Sequence, residues 1–189
     1  MIQSNQEVEA MRYVALLRGI NVGGNNKVPM AALREILTEQ GFTRVESYIA
    51  SGNVLLSSDL PGPGEVTAQF EELLREHFSV DTRVLVIPRE RYLAIASAVP
   101  PEWTNDTKQK SDVLFLFPED DAPEILSTLA PRAEIDHATY VPGAVLWNVR
   151  RADQTRSHLN RIVGTRTYRN LTIRNVNTVR RLEQMLTAG

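Results

Sequence analysis

Between Arg12 and Ile87 the apolar pattern alternates between strand and helix periods, and the order in which it does so leaves few folds open. Arg12–Arg18 (RYVALLR) is apolar and β-forming and reads as a strand. A loop rich in glycine and asparagine follows, from Gly19 to Val28. Pro29 then suits the first turn of a helix. Leu33, Ile36 and Leu37 give that helix its apolar stripe, and Gly41 is placed to end it. Val45–Ala50 and Val54–Ser57 read as a hairpin turned at Ser51-Gly52-Asn53. Val66, Phe70, Leu73, Leu74 and His77 recur on one face of a second helix. Arg83–Ile87 is a strand stopped by Pro88. The resulting order, β-α-β-β-α-β, is the split βαβ arrangement of a ferredoxin-like unit.

The second half of the chain varies the same order. Val113–Phe117 is a strand, Ala122–Ala130 a helix, and Glu134–Tyr140 with Ala144–Arg150 a hairpin turned at Pro142-Gly143. Gln154–Val163 reads as a helix with Leu159, Ile162 and Val163 inward. A weaker strand lies near Tyr168–Ile173, and a final helix carries Val176, Val179, Leu182, Met185 and Leu186. The expected fold class is therefore α+β: two ferredoxin-like halves, each with an antiparallel sheet covered by helices. The expected organisation is a disordered N-terminal extension over 1–10, an N-terminal half over 11–98, a linker over 99–111 and a C-terminal half over 112–189.

Composition narrows the function classes. The 189 residues include no cysteine, which excludes a thiol nucleophile, a disulfide framework and a cysteine-based zinc site. A chain of this length buries roughly 70% of its unfolded surface and needs no such staple. No apolar run approaches the ~20 residues of a membrane span. A cytoplasmic protein without membrane association is expected. The net charge of −2 conceals an asymmetry. The stretch 150–181 holds nine arginines and a single acid, Asp153, so it carries +8 and leaves −10 to the remainder. Such a stretch either attracts anions or folds against the acidic remainder.

Three segments have the chemistry of an anion site. The first is Arg18-Gly19-Ile20-Asn21-Val22-Gly23-Gly24-Asn25-Asn26-Lys27, which leaves a strand and enters a helix. Glycines such as Gly23 and Gly24 let backbone N–H groups crowd toward an anion, and a helix N-terminus adds partial positive charge. Arg18 and Lys27 add full charges, and Asn21 adds a donor and an acceptor. It is no P-loop, because Asn25 and Asn26 stand where Lys and Ser/Thr belong. The second is Arg174-Asn175-Val176-Asn177-Thr178, where Asn175, Asn177 and Thr178 are good helix caps beside a cation. The third is the turn containing Ser51 and Asn53. Each segment has a plain structural alternative: a strand-to-helix turn, a cap and a hairpin turn respectively.

Catalytic templates fail in turn. Ser51 lacks a G-x-S-x-G context and a neighbouring histidine. His77 is expected to pack in its apolar stripe, His137 to lie at the surface, and His158 in the arginine-rich helix is the one worth testing. None has metal-ligand spacing. Glu119-Asp120-Asp121 reads as a solvated loop, and Trp103 and Trp147 as packing residues. No cofactor or metal is expected; the catalytic residues are unknown, and whether the chain is an enzyme stays open.

The stretches YVALLRGINVGGNNKVPMAALREIL and GFTRVESYIASGNVLLSS resemble the opening of the domain-of-unknown-function family 1697. The C-terminal TIRNVNTVRRL is similar to that family's R-N-x-N-T segment, with Val176 where an aromatic is more usual. The resemblance covers most of Met11 to Leu186. It implies a ferredoxin-like α+β fold and carries no activity with it. By position, Arg18, Asn21, Gly23, Gly24, Lys27, Ser51, Gly52, Asn53, Arg174, Asn175, Asn177 and Thr178 match its motifs. Three functions are open on this reading. The first is binding of a small anionic or polyhydroxylated metabolite, a nucleotide or sugar phosphate, in a cleft made by the three segments. The second is nucleic-acid binding through 150–181. The third is a non-catalytic interaction or assembly role. The oligomeric state stays open.

Overall fold

A computed structural model of the protein describes residues 10–188. The expectation for the N-terminal extension falls almost wholly on residues 1–9, outside the described residues. The chain divides into two compact units between Arg89 and Glu90.

The N-terminal unit runs β1 (Met11–Leu17), α1 (Met30–Glu39), β2 (Thr43–Tyr48), β3 (Asn53–Ser58), α2 (Pro63–Phe78) and β4 (Val84–Pro88). Its antiparallel sheet has the order β2-β3-β1-β4. Alternation along the strands puts Tyr13, Ala15, Leu17, Val54, Leu56, Val84 and Val86 on one face. Leu33 and Leu37 of α1 and Val66, Phe70, Leu73 and Leu74 of α2 close over that face. Burial of these side chains stabilises the unit by roughly 2 kcal/mol for each large apolar residue.

The C-terminal unit repeats this strand order. It contains α3 (Arg89–Ala98), β5 (Gln109–Leu116), α4 (Ile125–Leu129), β6 (His137–Val141), β7 (Ala144–Arg150), α5 (Arg166–Arg169), β8 (Leu171–Asn175) and α6 (Val176–Ala188). The sheet order is β6-β7-β5-β8, again all antiparallel. One core gathers Leu114, Leu116, Val145, Trp147, Leu159, Ile162 and Leu171. On the alternate β5 positions, Phe115 stacks with Tyr92 of α3 at a centroid distance of 5.6 Å. The Tyr92 hydroxyl donates to the Val179 carbonyl of α6. Two four-stranded antiparallel sheets with helices make the α+β class expected from the sequence.

Tyr92 of α3 packs in the C-terminal unit, beyond the division between Arg89 and Glu90. Several local expectations are corrected. Pro29 precedes α1 as its N-cap and does not stand within the first turn. The expected helix 154–163 is two 3₁₀ segments, Arg151–Arg156 and His158–Arg161, broken at Ser157. The Ser157 side chain accepts from Leu159 N and donates to Asp136, so local side-chain bonds displace the helical ladder. Leu159 and Ile162 are buried there as expected, whereas Val163 is exposed. His77 is exposed too, since the inward stripe of α2 passes from Leu74 to the half-buried Phe78. Among the described residues no helix is long and apolar enough to cross a membrane.

Candidate functional site

The Gly19–Val28 loop of the N-terminal unit is a small hairpin whose tip is dictated by two glycines. Gly23 and Gly24 both take positive φ, 59° and 81°, which suits the mirror-image two-residue turn. Val22 and Asn25 pair across it, with Asn25 N donating to Val22 O at 3.1 Å. Asn26 Nδ2 ties the loop base to the Gly19 carbonyl at 3.1 Å.

Asn21 is the hub of this region. Its Oδ1 accepts from Val28 N at 2.8 Å, and its Nδ2 donates to the carbonyls of Val28 at 3.0 Å and Ala50 at 2.8 Å. The amide expected to orient a ligand is therefore spent on the backbone. It brings the loop, the start of α1 and the β2–β3 turn together. Asn53 is fully buried, and its Nδ2 donates to the Tyr48 carbonyl and to Ser51 Oγ. Between these residues, Gly52 at φ 83° presses on Leu17 and Ile20. A Cβ there would stand 2.7 Å from Leu17 Cβ and 2.9 Å from Ile20 Cδ1. The Arg18 carbonyl accepts from Thr82 Oγ1, and its N–H donates to the Arg83 carbonyl, which anchors the loop's first residue.

These constraints leave an open depression of about 580 Å³ lined by Asn21, Lys27, Val28, Pro29, Met30, Ser47, Ile49 and Ala50. Of the residues singled out from the sequence, Asn21 and Lys27 line it. Ser47, Met30 and Ile49 were not legible as site residues, because nothing in a strand or turn marks a neighbour across space. Lys27 is exposed, and no partner for its ammonium is found among the described residues. The helix α1 begins at the same depression with no side-chain cap and no acid in its first turn. Its leading N–H groups therefore lack an intrahelical partner. Arg34 Nη1 donates to Ser47 Oγ at 2.6 Å. A hydroxyl that accepts from a guanidinium keeps its own proton for an acceptor in the depression. Among the described residues no carboxylate lines the cavity.

The segment around Arg174 lies in the C-terminal unit. Asn175 Oδ1 accepts from Thr178 N at 3.0 Å and is the cap of α6. Asn177 Nδ2 donates to the Asn105 carbonyl. Arg174 is only 8% exposed, and its Nη1 donates to Thr172 Oγ1 and to the Ile173 carbonyl, both at 2.9 Å. Burial lowers its guanidinium to about 10. Much of the remaining arginine charge is also used inside this unit. Arg151 holds Asp106 O, Asn105 Oδ1 and Gln154 Oε1. Arg180 holds the carbonyls of Trp103 and Pro100, and Arg150 and Arg156 share Asp153.

Two acids missed in the sequence organise the same unit. Asp136 is buried and accepts from Ser157 Oγ at 2.5 Å, Arg132 N at 2.9 Å, His158 N at 3.1 Å and Trp147 Nε1 at 3.2 Å. Burial pushes its carboxyl upward, but the bonds from Ser157, Arg132, His158 and Trp147 outweigh that and hold it below the usual range. Asp121, expected in a solvated loop, accepts from Tyr140 Oη at 2.9 Å and Gly143 N at 2.7 Å and pairs with Arg91. His158 Nδ1 faces the Ala130 carbonyl, which assigns it a structural bond. Among the described residues no cluster of three or more His, Asp or Glu side chains is arranged for a metal.

The fold is shared by a solved structure, the conserved bacterial protein SP0830 from Streptococcus pneumoniae. That protein is 29% identical, with a TM-score of 0.80 over 93% of this chain and 98% of its own. No curated protein matches the chain. A family model matches residues 11–147, which contain β1 to β4 and the depression, and the chain belongs to the family described as Protein of unknown function (DUF1697).

Proposed function

We propose that the protein binds a small anionic metabolite in the depression at the start of α1. The observation that carries this reading is a convergence of donors. The Lys27 ammonium, the Ser47 hydroxyl oriented by Arg34 and the uncapped first turn of α1 all reach one cavity, which no carboxylate among the described residues lines. A phosphate or carboxylate there gains charge-assisted bonds and the favourable end of the helix dipole. Gly23 and Gly24 form the loop tip, and Asn21, Ser51 and Asn53 hold the wall. Any reaction at this site would rely on positioning and charge stabilisation. A thermal-shift screen with phosphorylated metabolites tests the reading. A ligand at ~100 times its Kd adds ~2.7 kcal/mol of stability, and Lys27→Ala should remove most of that gain. An unchanged shift in Lys27→Ala would sink the reading.

A second reading is nucleic-acid binding through the C-terminal unit. It is favoured by Arg161, Arg166 and Arg169, which are exposed and have no partner found among the described residues. Titration of labelled single strands at two salt concentrations tests it, because phosphate contacts release counterions and weaken as salt rises.

A further inference from the structure

Ile49 is the feature of the depression that an anion site does not explain. It stands at φ 51°, in the left-handed region, where a β-branched residue is a genuine outlier and Asn or Gly is at ease. It is also 50% exposed, so burial within the unit compensates only part of that strain. Strain retained at an exposed position is a pointer to function. It lines the cavity together with Val28, Pro29, Met30 and Ala50, so the depression has a largely apolar lining besides its polar donors. Asn21 fixes this arrangement by holding the Ala50 carbonyl next to Ile49 and the Val28 backbone before α1.

We infer that the ligand is a nucleoside monophosphate, its flat heterocycle lying against Ile49 and Met30 and its phosphate at Lys27 and Ser47. This rests on the anion-binding reading above and assigns the apolar half of the same cavity. A cavity of about 580 Å³ is within the usual range for small-molecule sites and accommodates such a ligand. A sugar phosphate alone would leave the apolar wall wet. A purely apolar ligand would leave the Lys27 charge and the start of α1 unused. A lining that combines these apolar residues with Lys27 and Ser47 suits a molecule with one flat apolar face and one anion.

The experiment is calorimetric titration of the full chain with AMP, ribose 5-phosphate and adenosine, on the wild type, Ile49→Asn and Lys27→Ala. In the wild type AMP should bind about tenfold more tightly than ribose 5-phosphate, the gain from burying one ring face. Ile49→Asn should bring that ratio near one while leaving the ribose 5-phosphate affinity intact. Its Tm should stay level or rise, because Asn relieves the left-handed strain, which separates lost recognition from lost folding. Lys27→Ala should weaken both phosphate compounds and leave adenosine unchanged. Equal binding of AMP and ribose 5-phosphate, or a ratio untouched by Ile49→Asn, overturns the ring assignment while the anion site stands. If neither phosphate compound binds, both readings fall.

Discussion

Asn21 and Val28 are joined by two reciprocal hydrogen bonds, Nδ2 to the Val28 carbonyl at 3.0 Å and Val28 N to Oδ1 at 2.8 Å. A side-chain amide here imitates a strand partner and closes the loop onto the entry of α1. A third bond, to the Ala50 carbonyl, extends the closure to the β2–β3 turn. The cavity described above exists because of this one amide. Replacing Asn21 by Ala removes all three bonds, and a loss of about 2–3 kcal/mol is expected. Urea unfolding of Asn21→Ala against the wild type measures it. A loss under about 0.5 kcal/mol, the size of an ordinary surface substitution, would show the amide to be dispensable.

Gly52 is constrained by space and conformation together. Its φ of 83° strains any L side chain, and an added methyl meets Leu17 and Ile20 inside 3 Å. Gly52→Ala should therefore cost about 2–4 kcal/mol, strain and overpacking combined. Chemical denaturation reads this directly, and a neutral result would mean that the turn readily shifts.

Asp136 makes stability depend on acid. Its folded pKa lies below the ordinary carboxylate value, so its contribution is present above the unfolded pKa and is lost as pH falls through the folded one. The window opens near pH 4, the model-peptide value for aspartate, and extends downward. Asp136→Asn places an NH2 group among donors from Arg132, His158, Ser157 and Trp147, with an expected cost of about 2–4 kcal/mol at neutral pH. Denaturant midpoints measured from pH 7 down to pH 3 should fall less steeply in the variant than in the wild type. Parallel curves would assign the acid sensitivity to other carboxylates.

Among the described residues Lys27 supplies the one full positive charge that lines the depression. Lys27→Glu should abolish binding of a phosphorylated ligand and leave the unfolding midpoint within about 0.5 kcal/mol of the wild type, because the side chain is exposed. Wild-type affinity should fall with added salt in a titration series, since the charge is screened at about 8 Å in physiological salt. A salt-independent affinity would place the ligand's charge elsewhere.

Most elements of both units, though not the 3₁₀ segments at 151–161, were legible because their signals are local. The β-forming apolar run in Arg12–Arg18, the stripe through Leu33 and Leu37, and the turn residues Ser51 to Asn53 each act within a few positions of themselves. The same holds for Asn175, whose capping oxygen reaches Thr178 three residues on. These short-range preferences determine which elements form and in what order. The site was legible only in part. Lys27 and the glycine turn could be read from their types, but the uses of Asn21, Asn53 and Arg174 could not. A polar side chain is indifferent in sequence to whether its partner is a ligand or a distant carbonyl such as Ala50. Tertiary structure settled that for Asn21, brought Ser47 and Ile49 to the mouth of α1, and made anchors of Asp136 and of the expected loop acid Asp121. Burial raises the cost of an unsatisfied polar group, so packing decides which donors are consumed by the fold and which are left facing the cavity.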